Sequence, residues 1–251
     1  MKDSAQYLAK KSFFDKIITI YGRNAVLEVL EDDSIEIHKL HFSDSNKSVE
    51  QLDRMVEIAK ERKIEIAYHD KKSLSRISKN SKQDQGVALD IVLKHALSED
   101  EFLKQNQNFR VIALDGILNP QNLGMIIRSC AGGDIDAIIL PTKNSAQITP
   151  LVIKASAGTL FKLPIIKSRN FKATLKKFKD SDSKLFTLSS YAEQSYKEVV
   201  LAKRTVFILG NESGGVRKEI EALSSDTIKI PMNRGVESLN VAVTASLLAF
   251  L

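Results

Sequence analysis

What this chain lacks narrows its chemistry before any motif is read. It has one cysteine, Cys130, so an internal disulfide framework is excluded and a reducing compartment suits it. Its four histidines are His38, His41, His69 and His95. None has a metal-ligand spacing to another histidine or to the cysteine, and they read as structural or surface residues. No histidine follows His95, so a Ser-His-Asp or Cys-His mechanism in the second half would need a base from the first. No carboxylate or thiol cluster suggests a metal. The start, MKDSAQYLAKKSFFDK, lacks the long apolar core of a signal peptide. The longest nearly apolar run, Val241 to Leu251, is too short to span a bilayer and contains Thr244 and Ser246. A soluble, cytoplasmic protein with no membrane contact is expected. The P-loop is absent too: Gly210 and Gly215 have its spacing, but Val216 follows instead of lysine. No G-x-G-x-x-G occurs, so the usual dinucleotide fingerprint is also missing.

Proline is absent before Pro120, and nine of the eleven glycines lie at or after Gly116. Composition therefore changes near the middle, and 251 residues suffice for one large or two modest domains. Charge changes with it. Residues 1–100 hold 17 Lys+Arg against 18 Asp+Glu, while residues 101–251 hold 20 against 13. Net charge is thus −1 in the first part and +7 in the second, which points to a polyanionic partner there or to a merely basic surface. The expected division is an N-terminal extension over 1–20, a small α/β domain over 21–96, a polar linker over 97–108 and a second domain over 109–251.

In the first domain, helical spacing runs from Asn24, a candidate cap, to Glu31, and from Ser48 to Arg62 with Val49, Leu52, Met55, Val56 and Ala59 on one face. Ile35–Phe42, the alternation Ile64, Ile66, Tyr68 and Gly86–Leu93 read as strands. The second domain alternates strands with helices, as in a mainly parallel sheet covered by helices. Strands are expected at Arg110–Leu114, Ala137–Leu140, Lys184–Leu188, Thr205–Leu209 and Thr227–Ile230. Helices are expected at Asn122–Ala131, Thr149–Ala157, Phe171–Phe178, Arg217–Leu223 and Ser238–Leu251. In the third of these, Phe171, Leu175 and Phe178 form an apolar stripe and Lys172, Lys176, Lys177 and Lys179 cover the rest. That basic face suits phosphates or plain solvation. The last helix carries too many apolar residues for one buried stripe, so core burial on several sides or a subunit interface is expected.

Three polar, glycine-bearing turns each follow a strand. The first is DGILNPQNLGMIIR, Asp115 to Arg128, with a turn at Asn119-Pro120, a helix beginning at Asn122, and Gly124 clearing space for Arg128 four residues on. The second is LGNESGGV, Leu209 to Val216, where glycines flank Glu212 and let backbone approach a ligand closely. The third is IPMNRGVESLNV, Ile230 to Val241, in which Ser238 opens and caps a helix and Asn240 lies in its first turn. Loops at the carboxyl ends of parallel strands converge on one crevice.

In this order, NPQNLGMIIRS, ILGNESGGV and IPMNRGVESLNV resemble the three motifs of the SpoU/TrmH branch of the SPOUT class, the RNA ribose 2′-O-methyltransferases. YGRNAVLEVL, Tyr21 to Leu30, and DQGVALDIV, Asp84 to Val92, resemble the ends of this branch's N-terminal RNA-substrate-binding domain. The resemblance covers Tyr21 to Leu251. It implies an α/β fold whose C-terminal parallel-sheet domain holds a deep trefoil knot, a homodimer, and S-adenosylmethionine as co-substrate without a metal. Main-chain groups around Gly210, Ile230 and Leu239 would hold the adenosyl part. Arg128 would be the leading catalytic residue, with Asn122, Glu212, Ser238 and Asn240 positioning it, the ribose and the cofactor loops. A guanidinium holds its proton too tightly to be an easy base, so stabilising an alkoxide or a nearby phosphate suits Arg128 better. For Ser238 and Asn240, helix capping alone is the alternative.

The chain departs from the pattern at Asn233-Arg234, which precede Gly235 where the family has an earlier glycine, and at Ser213, where glycine is common. It also stops close to the last motif, as though a longer terminal helix were missing. An N-terminal domain ahead of the knot resembles the ribosomal-RNA guanosine methylating members, which favours rRNA over tRNA. A non-catalytic RNA-binding relative is the reading from another class.

Overall fold

The structure is a computed structural model that describes residues 13–14, 16–79, 83–211 and 214–251. Contacts divide it into two units, one running up to Lys94 together with Ile148–Pro150, the other from His95 onward.

The first unit holds strands β1 (Ile17–Tyr21), β2 (Ile37–Ser43), β3 (Glu65–His69) and β4 (Val87–Val92) and helices α1 (Arg23–Leu30), α2 (Glu50–Glu61) and α3 (Lys71–Ser78). The sheet order is β1-β4-β2-β3, with β4 antiparallel to both neighbours and β2 parallel to β3. Ile18, Ile20, Leu40, Leu89 and Ile91 form its buried face. The sheet starts earlier than the sequence suggests: the run IITIY belongs to it as an edge strand paired with β4, not to an N-terminal extension. Gly22, at φ +89°, precedes α1 without a side-chain cap, and Asn24 instead accepts a hydrogen bond from Gln51 at 2.8 Å. In α2 the buried stripe is Leu52, Met55, Ile58 and Ala59; Val49 sits at the N-cap position and stays exposed.

The second unit is an eight-stranded, wholly parallel sheet in the order β10-β12-β9-β11-β6-β7-β8-β5. Its strands are β5 (Ala96–Leu97), β6 (Phe109–Asp115), β7 (Ala137–Pro141), β8 (Ile165–Ser168), β9 (Lys184–Leu188), β10 (Gln194–Ser195), β11 (Arg204–Gly210) and β12 (Asp226–Lys229). The helices are α4 (Glu99–Gln105), α5 (Pro120–Gly132), α6 (Pro150–Ala155), α7 (Phe171–Asp180), α8 (Lys218–Glu221) and α9 (Val241–Ala249). Parallel strands buried on both faces read as continuous apolar runs, and VIAL in β6, AIIL in β7 and VFIL in β11 are of that kind. Phe102, Phe109 and Phe178 interlock edge-on or tilted in the core beneath them.

The stretch 97–108 is not a plain linker. Ser98 and Glu101 form a reciprocal capping box that starts α4, and Phe102 is buried in the second unit's core. One apolar anchor in a polar helix leaves no periodic signal to read. In α7 the lysine face is largely occupied: Lys177 pairs with Asp100 at 2.9 Å and Glu99 at 3.4 Å, and Lys172 lies 3.9 Å from Glu219. Around Lys172 and Lys177, local pairing describes this face better than phosphate contact.

Candidate active site

The chain runs from β6 through α5 to β7 on one side, and from β11 through α8 to β12 on the other. β6 and β11 are neighbours, so their carboxyl ends form a topological switch point, where open parallel sheets bind ligands. Asp115 and Gly210 end these two strands in register. The first two motifs begin there.

Asn119 caps α5, its side chain accepting from the N–H of Gln121 at 2.8 Å and of Asn122 at 3.5 Å. Pro120 fills the first helical position, where a missing N–H costs nothing. Asn122 is therefore not the first residue of the helix but a buried one in its first turn. Gly124 serves packing rather than Arg128, because a Cβ there would meet Ala155 and the Val152 carbonyl of α6.

The second motif doubles back on itself. Asn211 and Gly215 form an antiparallel bridge, and the Asn211 side chain accepts from the Gly214 N–H at 2.6 Å. A Cβ on Gly210 would collide with the backbone of Gly215 and Val216, so only glycine permits this close return. Glu212 lies outside the described residues.

The loop is fastened by a pair that sequence reading missed. Asp115, 2 % exposed, accepts from the Arg217 N–H at 2.9 Å and from its Nε at 2.8 Å, and Nη2 completes the ion pair at 2.8 Å. The hydrogen bond to Asp115 raises the Arg217 pKa above its ordinary value, against the opposing effect of burial. The two residues are 102 positions apart. The available signal was an acid ending an apolar strand, VIALD, since a buried carboxylate needs a partner.

The third motif bridges the sheet. It leaves β12, which lies beyond β9, and enters α9, which packs against α5. Its residues must therefore cross the carboxyl ends of β9 and β11. Asn233 to Val236 form a tight turn with a 3.2 Å hydrogen bond, and its central residues Arg234 and Gly235 both have positive φ, +57° and +73°. That is the pattern of a type I′ turn, and it is the local form the departure from the family pattern takes. The helix does not open at Ser238. Asn240 is the N-cap, its side chain accepting from the Ala242 N–H at 2.8 Å, and α9 begins at Val241. Asparagine at this position satisfies an orphan donor as well as serine would, and Ser238 lies exposed two residues earlier.

The amide of Asn240 also donates to Asn122 Oδ1 at 3.2 Å, so one contact joins the first and third motifs. Ser246 donates to Ser129 at 2.7 Å, and Gly133 lies directly against Ala249, which locks α9 along α5. Ile230 and Leu239, the two expected donor-binding residues beside Gly210, are half-buried at either end of the crossing segment.

Arg128 is not drawn into this cluster. It is exposed, on the stripe Gln121, Met125, Arg128, Gly132, and among the described residues it has no ion pair. Six residues of helix place it roughly 9 Å along the axis from Asn122 and about 120° around it. Cys130 is buried, and burial pushes its thiol up to about 12, so it is inert at neutral pH. Among the described residues no group of three or more His, Cys, Asp or Glu side chains is arranged to hold a metal ion, and no helix is long and apolar enough to cross a membrane.

The histidines are less scattered in space than in sequence. In the first unit, His41 contacts His69 at 2.9 Å and Asp90 at 3.2 Å, and Thr19 donates to the other oxygen of Asp90 at 2.6 Å. Burial pushes Asp90 up, but these hydrogen bonds outweigh it and hold the carboxyl below the usual range.

Residues 110–250 match the SpoU rRNA Methylase family, and residues 19–95 match the domain described as RNA 2′-O ribose methyltransferase substrate binding. A protein of Staphylococcus epidermidis described as a TrmH family tRNA/rRNA methyltransferase is 31% identical over 237 residues, covering 93% of this chain and 94% of that protein. Among solved structures, the SpoU methyltransferase AviRb from Streptomyces viridochromogenes, in complex with AdoMet, aligns with a TM-score of 0.66 at 16% identity. That alignment covers 98% of this chain and 91% of AviRb. A TrmH-family RNA methyltransferase structure from Porphyromonas gingivalis aligns at 0.62 with 22% identity, over 99% and 97% of the two chains. At those identities the structures speak for the fold, while the family matches speak for kinship. The chain belongs to the SpoU/TrmH family of RNA methyltransferases.

Proposed function

We propose that the protein transfers a methyl group from S-adenosylmethionine to a ribose 2′-hydroxyl of structured RNA, as a cytoplasmic homodimer whose second domain is knotted. The observation that carries this reading is the Asn240–Asn122 contact, which closes the third motif over the switch point where the first two begin. The crevice suits the donor: Gly210 admits no side chain, and the crossing segment brings backbone from Ile230 to Leu239 over the same strand ends. Main chain at Gly210, Ile230 and Leu239 would hold the adenosyl part.

When bound, the donor supplies an electrophilic methyl group on a sulfonium sulfur. The work left to the protein is alignment and charge stabilisation. Asn122 and Asn240, fixed by each other and by the start of α9, orient the ribose. Glu212 and Ser238 complete that positioning set. Arg128 stabilises the alkoxide that develops on the 2′-oxygen, or the adjacent phosphate, since its own proton is held too tightly for easy base action.

A homodimer is supported by α9, which buries Val241, Ala242, Ala245, Leu248 and Ala249 yet leaves Val243 47 % exposed, and by Phe250 at its C-cap, 66 % exposed. Exposed Met125 and Arg128 lie on the α5 stripe that ends at Gly132, and Gly132 adjoins Phe250. A second copy covering this apolar strip would also cover Arg128. For the substrate we favour a guanosine of large-subunit rRNA over tRNA, because a substrate-binding domain precedes the catalytic one.

The test pairs calorimetry with S-adenosylmethionine and a tritiated-methyl assay on separated rRNA and tRNA. Donor binding with incorporation into rRNA is expected. Binding without incorporation into any RNA would instead make the protein a non-catalytic relative.

A further inference from the structure

At the opposite end of the parallel sheet, where β6, β9, β11 and β12 begin, the second unit has a cleft of about 820 Å³. Lys179, Lys184, Lys203 and Arg204 line it against a single carboxylate, Asp182. Among the described residues, only Lys184 of these cations meets a carboxylate, Asp226 at 3.0 Å. Arg204 is held in one orientation by uncharged acceptors. Its Nε donates to the Gln107 carbonyl at 3.0 Å, Nη1 to the Ser181 carbonyl at 2.7 Å and Nη2 to Gln107 Oε1 at 2.9 Å, with the Phe109 ring 5.9 Å away. Lys179 reaches only the Leu223 carbonyl, at 2.8 Å, and Lys203 is exposed without an ion pair among the described residues.

Ser183 also lines the cleft. It is 5 % exposed, and its hydroxyl has no hydrogen-bond partner among the described residues. A buried hydroxyl left unpaired costs free energy that a ligand atom can restore. Capping helix carbonyls accounts for part of what Arg204 and Lys179 do. It does not account for a concave site with uncompensated positive charge and an orphaned hydroxyl.

A pre-oriented guanidinium with N–H groups to spare, flexible ammonium groups and a hydroxyl are the donors that recognise phosphate oxygens. No aromatic side chain lines the cleft, and Ala202 is its one apolar member. A base would find nothing to stack on, which favours a backbone phosphate over a free nucleotide. The strands place this cleft on the order of 20 Å from the candidate active site, a span that a folded RNA covers easily. We infer that the cleft binds a backbone phosphate of the RNA substrate and anchors it at the end of the sheet opposite the reaction. The choice of RNA as the source rests on the function proposed above.

The test measures affinity for a labelled RNA hairpin across a salt series, using wild type, Lys203→Gln and the Lys179→Gln/Lys203→Gln double variant. Each lost phosphate contact should weaken RNA binding several-fold and lower the salt slope by about 1. Affinity for S-adenosylmethionine should stay unchanged, and Lys203→Gln removes no side-chain hydrogen bond or ion pair among the described residues, so its folding is safe. Unchanged RNA affinity and slope in both variants would overturn the inference. Inorganic phosphate that protects the wild type against heat but not the double variant, with RNA binding unaffected, would make this a small-anion site and overturn the RNA assignment. A wild type that binds no RNA would defeat the proposed function instead.

Discussion

The two ends of the parallel sheet are built from the same strands and treat charge in opposite ways. At the carboxyl ends, Asp115 is sealed by two hydrogen bonds and an ion pair from Arg217, Asn211 is folded onto Gly214, and Asn122 is held by Asn240. Polar groups there are spent on fixing loops. At the amino ends, Arg204, Lys179 and Lys203 face a cleft with carbonyls or nothing opposite them. The contrast separates two demands. A small co-substrate held largely by main chain needs rigid, closely packed loops, whereas a polyanion needs charge that the protein has not already neutralised. Net charge alone, +7 over residues 101–251, does not say where such charge lies.

The contrast can be broken at several points. Gly210→Ala should have the largest effect, because its Cβ collides with the returning Gly215 backbone. Overpacking of this kind costs about 1–3 kcal/mol, and calorimetry should find donor binding lost while RNA binding at low salt persists. Asp115→Asn comes next. It leaves Arg217 with Glu219, at 3.1 Å, as its remaining carboxylate among the described residues, and since that guanidinium is half exposed the loss should be about 1–2 kcal/mol, well below that of a fully buried pair. Donor affinity should fall about tenfold, with the maximal rate at saturating donor changing less. Asn240→Ala removes the cap of α9 and the contact to Asn122. Stability in urea should drop by about 1 kcal/mol, and methyl transfer should fall further than stability explains. Its capped counterpart, Asn240→Ser, should recover the stability but not the rate, which separates capping from positioning.

Much of this was legible in the sequence, and the exceptions share causes. The strands β6, β7, β9 and β11 appear as apolar runs because both faces of a parallel sheet are buried. β1 escaped because it straddles the expected start of the first domain at Tyr21, and β8 because its four residues directly follow Pro164. α4 escaped because one buried phenylalanine, Phe102, does its anchoring. At the site, the three motifs name Asn122, Gly210 and Asn240, but not what joins them. The Asp115–Arg217 fastening and the His41–His69–Asp90 chain depend on strand order and register, which spacing along the chain does not encode. The cap of α9 lies two residues beyond the expected one because Ser238 and Asn240 are both good caps, and only tertiary packing against α5 chooses between them.

The catalytic assignment bears most weight on Arg128, which the single chain leaves exposed and unpaired by any described carboxylate. Tritiated-methyl transfer to RNA by the Arg128→Ala protein tests it most directly, with donor binding measured on the same preparation. Normal binding of S-adenosylmethionine and a rate reduced by a factor on the order of 100 or more are expected, as when one stabilising group for a developing anion is removed. Normal binding with transfer at the wild-type rate would contradict the assignment.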